Sequence, residues 1–316
     1  MSIAENKVIN DVTIQPAAFN TIYTAAFSEI VINRDRSAPI GLFDSGVGGL
    51  SVYLHVAQQL PAERYIYYAD TLHVPYGDRD SQEIEALTLI AVEWLSQQGC
   101  KLIVIACNSA SAYALDAARR CYPQLLIVGL VPALKPAVLA SKSGHVAVLA
   151  TKATLNGTLL NQVIENIAQP NQTTVTKYFD PQLVPWVEAG MPENSETAQR
   201  LRQQLTEFAR NGVDQLVLGC THYPFFKPFL LQEIKERQLS IQVIDSGQAI
   251  AERVKELLIK NQLMALPVSN TDSESSDSKG TDLRPSLIFY ASKYDDRLGM
   301  LIQRLLGNKI RLQQHF

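Results

Sequence analysis

Short runs rich in β-branched and aliphatic residues recur along the chain, and each ends in small polar residues before a longer segment of helical periodicity. Pro39–Phe43, Tyr65–Ala69, the run from Leu102 to Cys107, Leu125–Gly129 and His145–Ala150 read as buried strands. Thr173–Tyr178, the run from Leu216 to Cys220, Ile241–Ile244 and Leu287–Ala291 continue the series. Between them, Leu50–Leu60, a stretch through about Gln97, Ser109–Arg120, Pro181–Ala189 and Glu196–Arg210 carry helical spacing, and a last helix runs through about Leu306. Asp80-Ser81-Gln82-Glu83 fits a capping box at the start of the second helix, and Gly99 stops it. Alternation of this kind predicts parallel sheets covered by helices on both faces.

Two strand ends stand out. LIVIACNSASA (102–112) and LGCTHYP (218–224) each deliver a cysteine, Cys107 or Cys220, into a turn of small hydroxyl and amide residues. Active sites of α/β proteins lie at such carboxyl ends. Asp44-Ser45-Gly46 after the first strand is echoed by Asp245-Ser246-Gly247, so strand-end devices occur in pairs. In the first, the glycines of DSGVGG let backbone amides face a ligand at a helix start, a setting for a carboxylate or phosphate, although a plain tight turn accounts for the same residues.

Composition narrows the chemistry. At 316 residues and 47% hydrophobic content the chain can fill substantial cores, and its formal charge of −3, with no basic stripe, points to a small molecule rather than nucleic acid or an anionic membrane. No apolar run approaches the roughly 20 residues a membrane helix requires, and the start lacks the form of a secretion signal, so the expected location is the cytoplasm. The four cysteines, Cys100, Cys107, Cys121 and Cys220, form no CxxC pair and have no histidine at metal spacing, so free thiols and no metal are expected. A thiol has an unperturbed pKa of about 8.5, near enough to neutrality for acid/base work. Cys107 and Cys220 have polar followers and predicted helix starts; Cys100 and Cys121 read as packing or surface thiols. His222, beside Cys220, can tune it or relay its proton.

GLFDSGVGGLS (41–51), YYADTLHVPYG (67–77), ACNSASA (106–112) and LGCTHYP (218–224) together resemble the motifs of cofactor-independent glutamate racemases, in order and spacing. The resemblance covers about residues 39–260 and implies two α/β domains with the substrate in the cleft between them: 38–130 with 243–316, and 131–242. Residues 1–37 would be an N-terminal extension. The serine- and aspartate-rich stretch 268–286 would be a disordered insertion. The resemblance further implies two-base inversion of glutamate without pyridoxal phosphate or metal, with Cys107 the base toward D-glutamate and Cys220 the base toward L-glutamate. Substrate contacts would fall on Asp44, Ser45, Tyr76, Gly77, Asn108, Ser109, Thr221 and His222. Asp44 and His222 would assist the cysteines, with Asp70 and Glu188 in a second tier. A homodimer, a cell-wall-precursor activator and supply of D-glutamate for peptidoglycan are implied in the same way.

Ser109 departs from the family's usual threonine but keeps the hydroxyl. Aspartate racemases are the nearest rival, and their branch usually carries glutamate where this chain has His222. A non-catalytic small-molecule sensor on the same fold is a second rival. A cysteine-nucleophile hydrolase is weaker, for no histidine and acid set accompanies a single thiol.

Overall fold

A computed structural model describes residues 33–266, 286–307 and 311–314. The expected extension and insertion lie almost wholly outside the described residues.

Two parallel sheets form. The first has strand order β10-β9-β2-β1-β3-β4, built from β1 (Ile40–Asp44), β2 (Tyr65–Ala69), β3 (Leu102–Ile105), β4 (Leu126–Gly129), β9 (Ser286–Ala291) and β10 (Arg311–Gln314). The second has order β6-β5-β7-β8, from β5 (His145–Ala150), β6 (Thr174–Tyr178), β7 (Gln215–Gly219) and β8 (Gln242–Ile244). All described pairings are parallel, as the alternation predicts. Every residue of β1, β3 and β7 is buried. Buried on both faces, such strands read as continuous apolar runs, which is why periodicity located them.

On one face of the first sheet, Leu42, Tyr67, Val104 and Phe289 pack with α1 (Leu50–Gln59), α10 (Gly247–Lys260) and α11 (Asp296–Leu306) in one core. α2 (Ser81–Gln97) and α3 (Asn108–Cys121) belong to the same half. α2 starts where the capping box places it, with Asp80 Oδ1 accepting from the Glu83 amide at 2.9 Å, while the Glu83 side chain pairs with Arg79. In the second half, one core gathers Leu183 and Trp186 of α7 (Leu183–Glu188), Leu205 and Phe208 of α8 (Glu196–Arg210), and Leu230 of α9 (Lys227–Glu236). The other contains Leu134 and Val138 of α4 (Leu134–Ala140), Leu155 of α5 (Lys152–Asn156) and Leu160 of α6 (Thr158–Val163). Each such side chain removed from water contributes about 1.5–3 kcal/mol before ordering costs. After Thr151 come two short helices, α5 and α6, with a π turn at Ile164–Ala168.

At the amino end of the first sheet, Lys101 and Glu63 form a salt bridge of 2.5 Å with both side chains buried. Lys101 Nζ also donates to the carbonyls of Arg36 and Leu263, and Glu63 Oε1 accepts from the Ala265 amide. Among the described residues no helix is long and apolar enough to cross a membrane.

Candidate active site

The carboxyl ends of both sheets open on a cavity of about 380 Å³, the size range of a small-molecule site. From the first half come Ser45 and Gly46 after β1, Val74 to Asp78 after β2, and Cys107 to Ser109 after β3. From the second come Thr151 after β5, Phe179 to Pro181 after β6, part of α7, and Cys220 to Tyr223 after β7.

Cys107 lies where β3 gives way to α3, and as N-cap it accepts from the Ala110 amide at 3.5 Å. Its sulfur is 3.6 Å from Ser45 Oγ, which donates to Asp44 Oδ1 at 3.1 Å. Giving its one proton to Asp44 leaves the serine an acceptor for the thiol. Burial, reinforced by the Asp44 charge, pushes the Cys107 thiol up to about 12, with the backbone donors of Ala110 and Ser45 opposing.

Asp44 lies just behind the lining, 1% exposed. It accepts from the amides of Gly46 (3.1 Å) and Gly49, and from Thr221 Oγ1 (3.1 Å) in the other half. Burial raises its pKa; His222 and these donors hold it down. A Cβ on Gly49 would stand 2.7 Å from Asp44 Oδ2, and one on Gly48 would collide with His222 and Thr221. Gly48 is therefore required for close approach between the halves, and Gly49 for close approach to Asp44 within the first. Ser51 Oγ extends the seam by donating to the Thr221 carbonyl at 2.7 Å.

On the opposite side, Cys220 directly follows β7 and is hydrogen-bonded to His222. His222 Nε2 stands 3.1 Å from Glu188 Oε1 on α7. Burial alone would depress the imidazole, but hydrogen bonding and charge from Cys220 and Glu188 outweigh it and lift His222 to about 10.

Tyr76 and Gly77 also line the cavity, and Tyr76 donates to Asp70 Oδ2 at 2.6 Å. Burial, then the Asp70 charge, raises Tyr76 well above the ordinary phenol, so it stays a donor. Asp70 is not in the lining; it is buried behind Tyr76, where it also takes His73 Nδ1 (2.8 Å) and Ser292 Oγ (2.8 Å). Among the described residues Asn108 Oδ1 is buried without a partner, an acceptor whose desolvation a ligand donor would offset. Ser109 Oγ lies 3.0 Å from Thr151 Oγ1. Periodicity did not single out Thr151, Phe179 or Asp180; a hydroxyl or ring just after a strand, as at Cys107, was the available signal. Cys100 and Cys121 stand outside the lining, and Cys100 packs against Gly41. Among the described residues, no group of three or more His, Cys, Asp or Glu side chains could hold a metal ion.

The family described as Asp/Glu/hydantoin racemase matches residues 40–254. The chain belongs to that family. The match spans β1 to β8 and both cysteine turns. A glutamate racemase of Deinococcus radiodurans is 47% identical over 230 residues, covering 72% of this chain and 78% of that protein. One from Clostridium perfringens is 38% identical over 252 residues, 80% of this chain and 92% of that protein. Among solved structures, glutamate racemase RacE1 of Bacillus anthracis superposes with TM-score 0.73 at 26% identity, covering 89% of this chain and 98% of that one. The Escherichia coli glutamate racemase, in complex with L-glutamate and the activator UDP-MurNAc-Ala, has TM-score 0.68 at 30% identity, covering 88% and 97%.

Proposed function

We infer that this chain is a glutamate racemase that inverts the α-carbon by proton transfer between two thiols. The observation that carries the reading is that Cys107 and Cys220, delivered by strands of different sheets, open on one cavity. The curated relatives support glutamate as the substrate. The domain division at 130/131 and 242/243 is part of the reading; two separate sheets support its outline, while β8 (Gln242–Ile244) pairs wholly in the second sheet and so crosses the second border.

In the L-to-D direction Cys220, as thiolate, takes the α-proton while Cys107 gives its own proton to the opposite face, and the reverse reaction exchanges the roles. The elevated Cys107 leaves it protonated at neutral pH, ready to donate in that direction. Asp44 reaches Cys107 through Ser45, and Glu188 reaches Cys220 through His222. The carbanionic transition state needs stabilisation by fixed donors. Ser109 and the Gly77 backbone are suited to the two carboxylates, and Asn108 Oδ1, without a partner among the described residues, to the ammonium; the single hydroxyl protons of Tyr76 and Thr221 go to Asp70 and Asp44, so these two offer the ligand acceptors. Asp70 supports Tyr76 from behind. No cofactor enters these steps.

A role in supplying D-glutamate for peptidoglycan, a cytoplasmic setting that keeps thiols reduced, and response to a cell-wall precursor as in the E. coli relative complete the reading, with a homodimer as the expected assembly. The test is incubation with L-glutamate or L-aspartate in heavy water, following α-deuteration by NMR and chirality by polarimetry. Deuterated D-glutamate is expected; exchange confined to aspartate would assign the site to the aspartate branch, and no exchange with either would make it a sensor.

A further inference from the structure

The structure gives one cavity carboxylate a partner outside the four motifs. Glu188, the last residue of α7, turns its carboxylate to His222 and leaves its backbone carbonyl among the free carbonyls of a helix end. Arg304, on the last turn of α11, donates to that carbonyl through Nη1 at 3.1 Å. The guanidinium also lies against Gly190, where φ is +90° and an added Cβ would come within 3.1 Å of Nη1. Beside Arg304, Leu305 packs against the cores of both halves. The last turn of α11 thus bridges the first sheet's core and the helix that forms one cavity wall.

We propose that Arg304 is a positioning residue for the reaction: by holding the end of α7 it keeps the Glu188 carboxylate on His222, and through His222 it sets the Cys220 side of the site. This rests on the racemase reading above. Arg304 touches none of the reacting groups, so its effect passes through two contacts, Arg304 to the Glu188 carbonyl and Glu188 to the imidazole, each 3.1 Å long. The ionisable groups facing His222 are Cys220 at the end of β7, Glu188 on α7 and Asp44 at the end of β1. Asp78, Asp180 and Tyr223 share the cavity wall. Of these, Glu188 is the one Arg304 holds.

The experiment compares kcat/KM against pH for wild type, R304Q, R304K, E188Q and the double variant R304Q/E188Q. Arg304 is exposed, so its replacement leaves the fold in place. Loosening Glu188 removes part of what raises His222, so R304Q moves the alkaline limb to lower pH and lowers kcat/KM about 2- to 30-fold. E188Q shifts the limb in the same direction, and the double variant shifts it no further than E188Q alone. R304K, which keeps a cationic donor, restores the limb. The proposal is overturned if R304Q keeps the wild-type limb, even with a lower Tm, or if its shift adds to that of E188Q. A wild type that exchanges no α-proton of glutamate overturns the racemase reading instead.

Discussion

Cys107 and Cys220 each stand at the end of a three-group chain of carboxylate, relay and sulfur, yet the two chains differ at every link. On the Cys107 side the carboxylate is Asp44, 1% exposed, and the relay is the Ser45 hydroxyl. On the Cys220 side the carboxylate is Glu188, its side chain 43% exposed, and the relay is the His222 imidazole. A hydroxyl cannot hold charge at neutral pH, so the first chain leaves Cys107 to burial and to the Asp44 charge, both of which favour the thiol. An imidazole can hold charge, and one raised to about 10 is cationic at neutral pH. Similar strand-end devices thus place unlike groups beside their sulfurs, a neutral hydroxyl at Cys107 and a cationic imidazole at Cys220.

The largest effect that would break this comparison is loss of either sulfur. Cys107→Ala and Cys220→Ala should each lower racemisation at least about 10³-fold, measured by polarimetry, because inversion requires a group on each face. Near wild-type turnover in either variant would refute the pairing. His222→Asn comes next. The wild type should lose activity as pH rises through about 10, where the imidazolium deprotonates, and the variant should lack that limb. The same group leaves a thermodynamic mark. Its folded pKa is raised above the unfolded value of 6.5, so its contribution to stability is full below 6.5 and is lost as pH rises toward 10. Urea unfolding at several pH values should therefore show a shallower decline for His222→Asn over that window.

Ser45→Ala sharpens the other side. It removes the hydroxyl between Asp44 and Cys107, and a fall in kcat/KM of about 5- to 30-fold is expected with the His222 limb unmoved. Ser109→Thr should change KM by less than about threefold, since the hydroxyl on Thr151 is retained and one methyl is added. Lys101→Met should leave kcat unchanged. It would strand Glu63 in the interior and cost about 3–5 kcal/mol in unfolding experiments.

The strands ending at Cys107 and Cys220 were legible because doubly buried strands leave continuous apolar runs, and the polar followers marked where those runs surface. The capping of α2 by Asp80 was legible for a similarly local reason. The pairing of groups across the site was not. Thr221 meets Asp44 across 177 positions, and Arg304 meets Glu188 across 116, distances over which no periodicity carries information. Glu188 and Asp70 entered only through resemblance, and Thr151 was missed because its hydroxyl caps a short helix as well as facing the cavity. The strand β10 also went unread, its sequence RLQQ having no apolar run to announce it.

The most direct test of two sulfurs acting on one carbon is the early isotope pattern in heavy water. At low conversion of L-glutamate, two opposed thiols predict D-glutamate that carries deuterium at the α-carbon while the recovered L-glutamate keeps its protium. D-glutamate retaining the original proton, or L-glutamate gaining deuterium as fast as product forms, would mean that a single group serves both faces and would contradict the account.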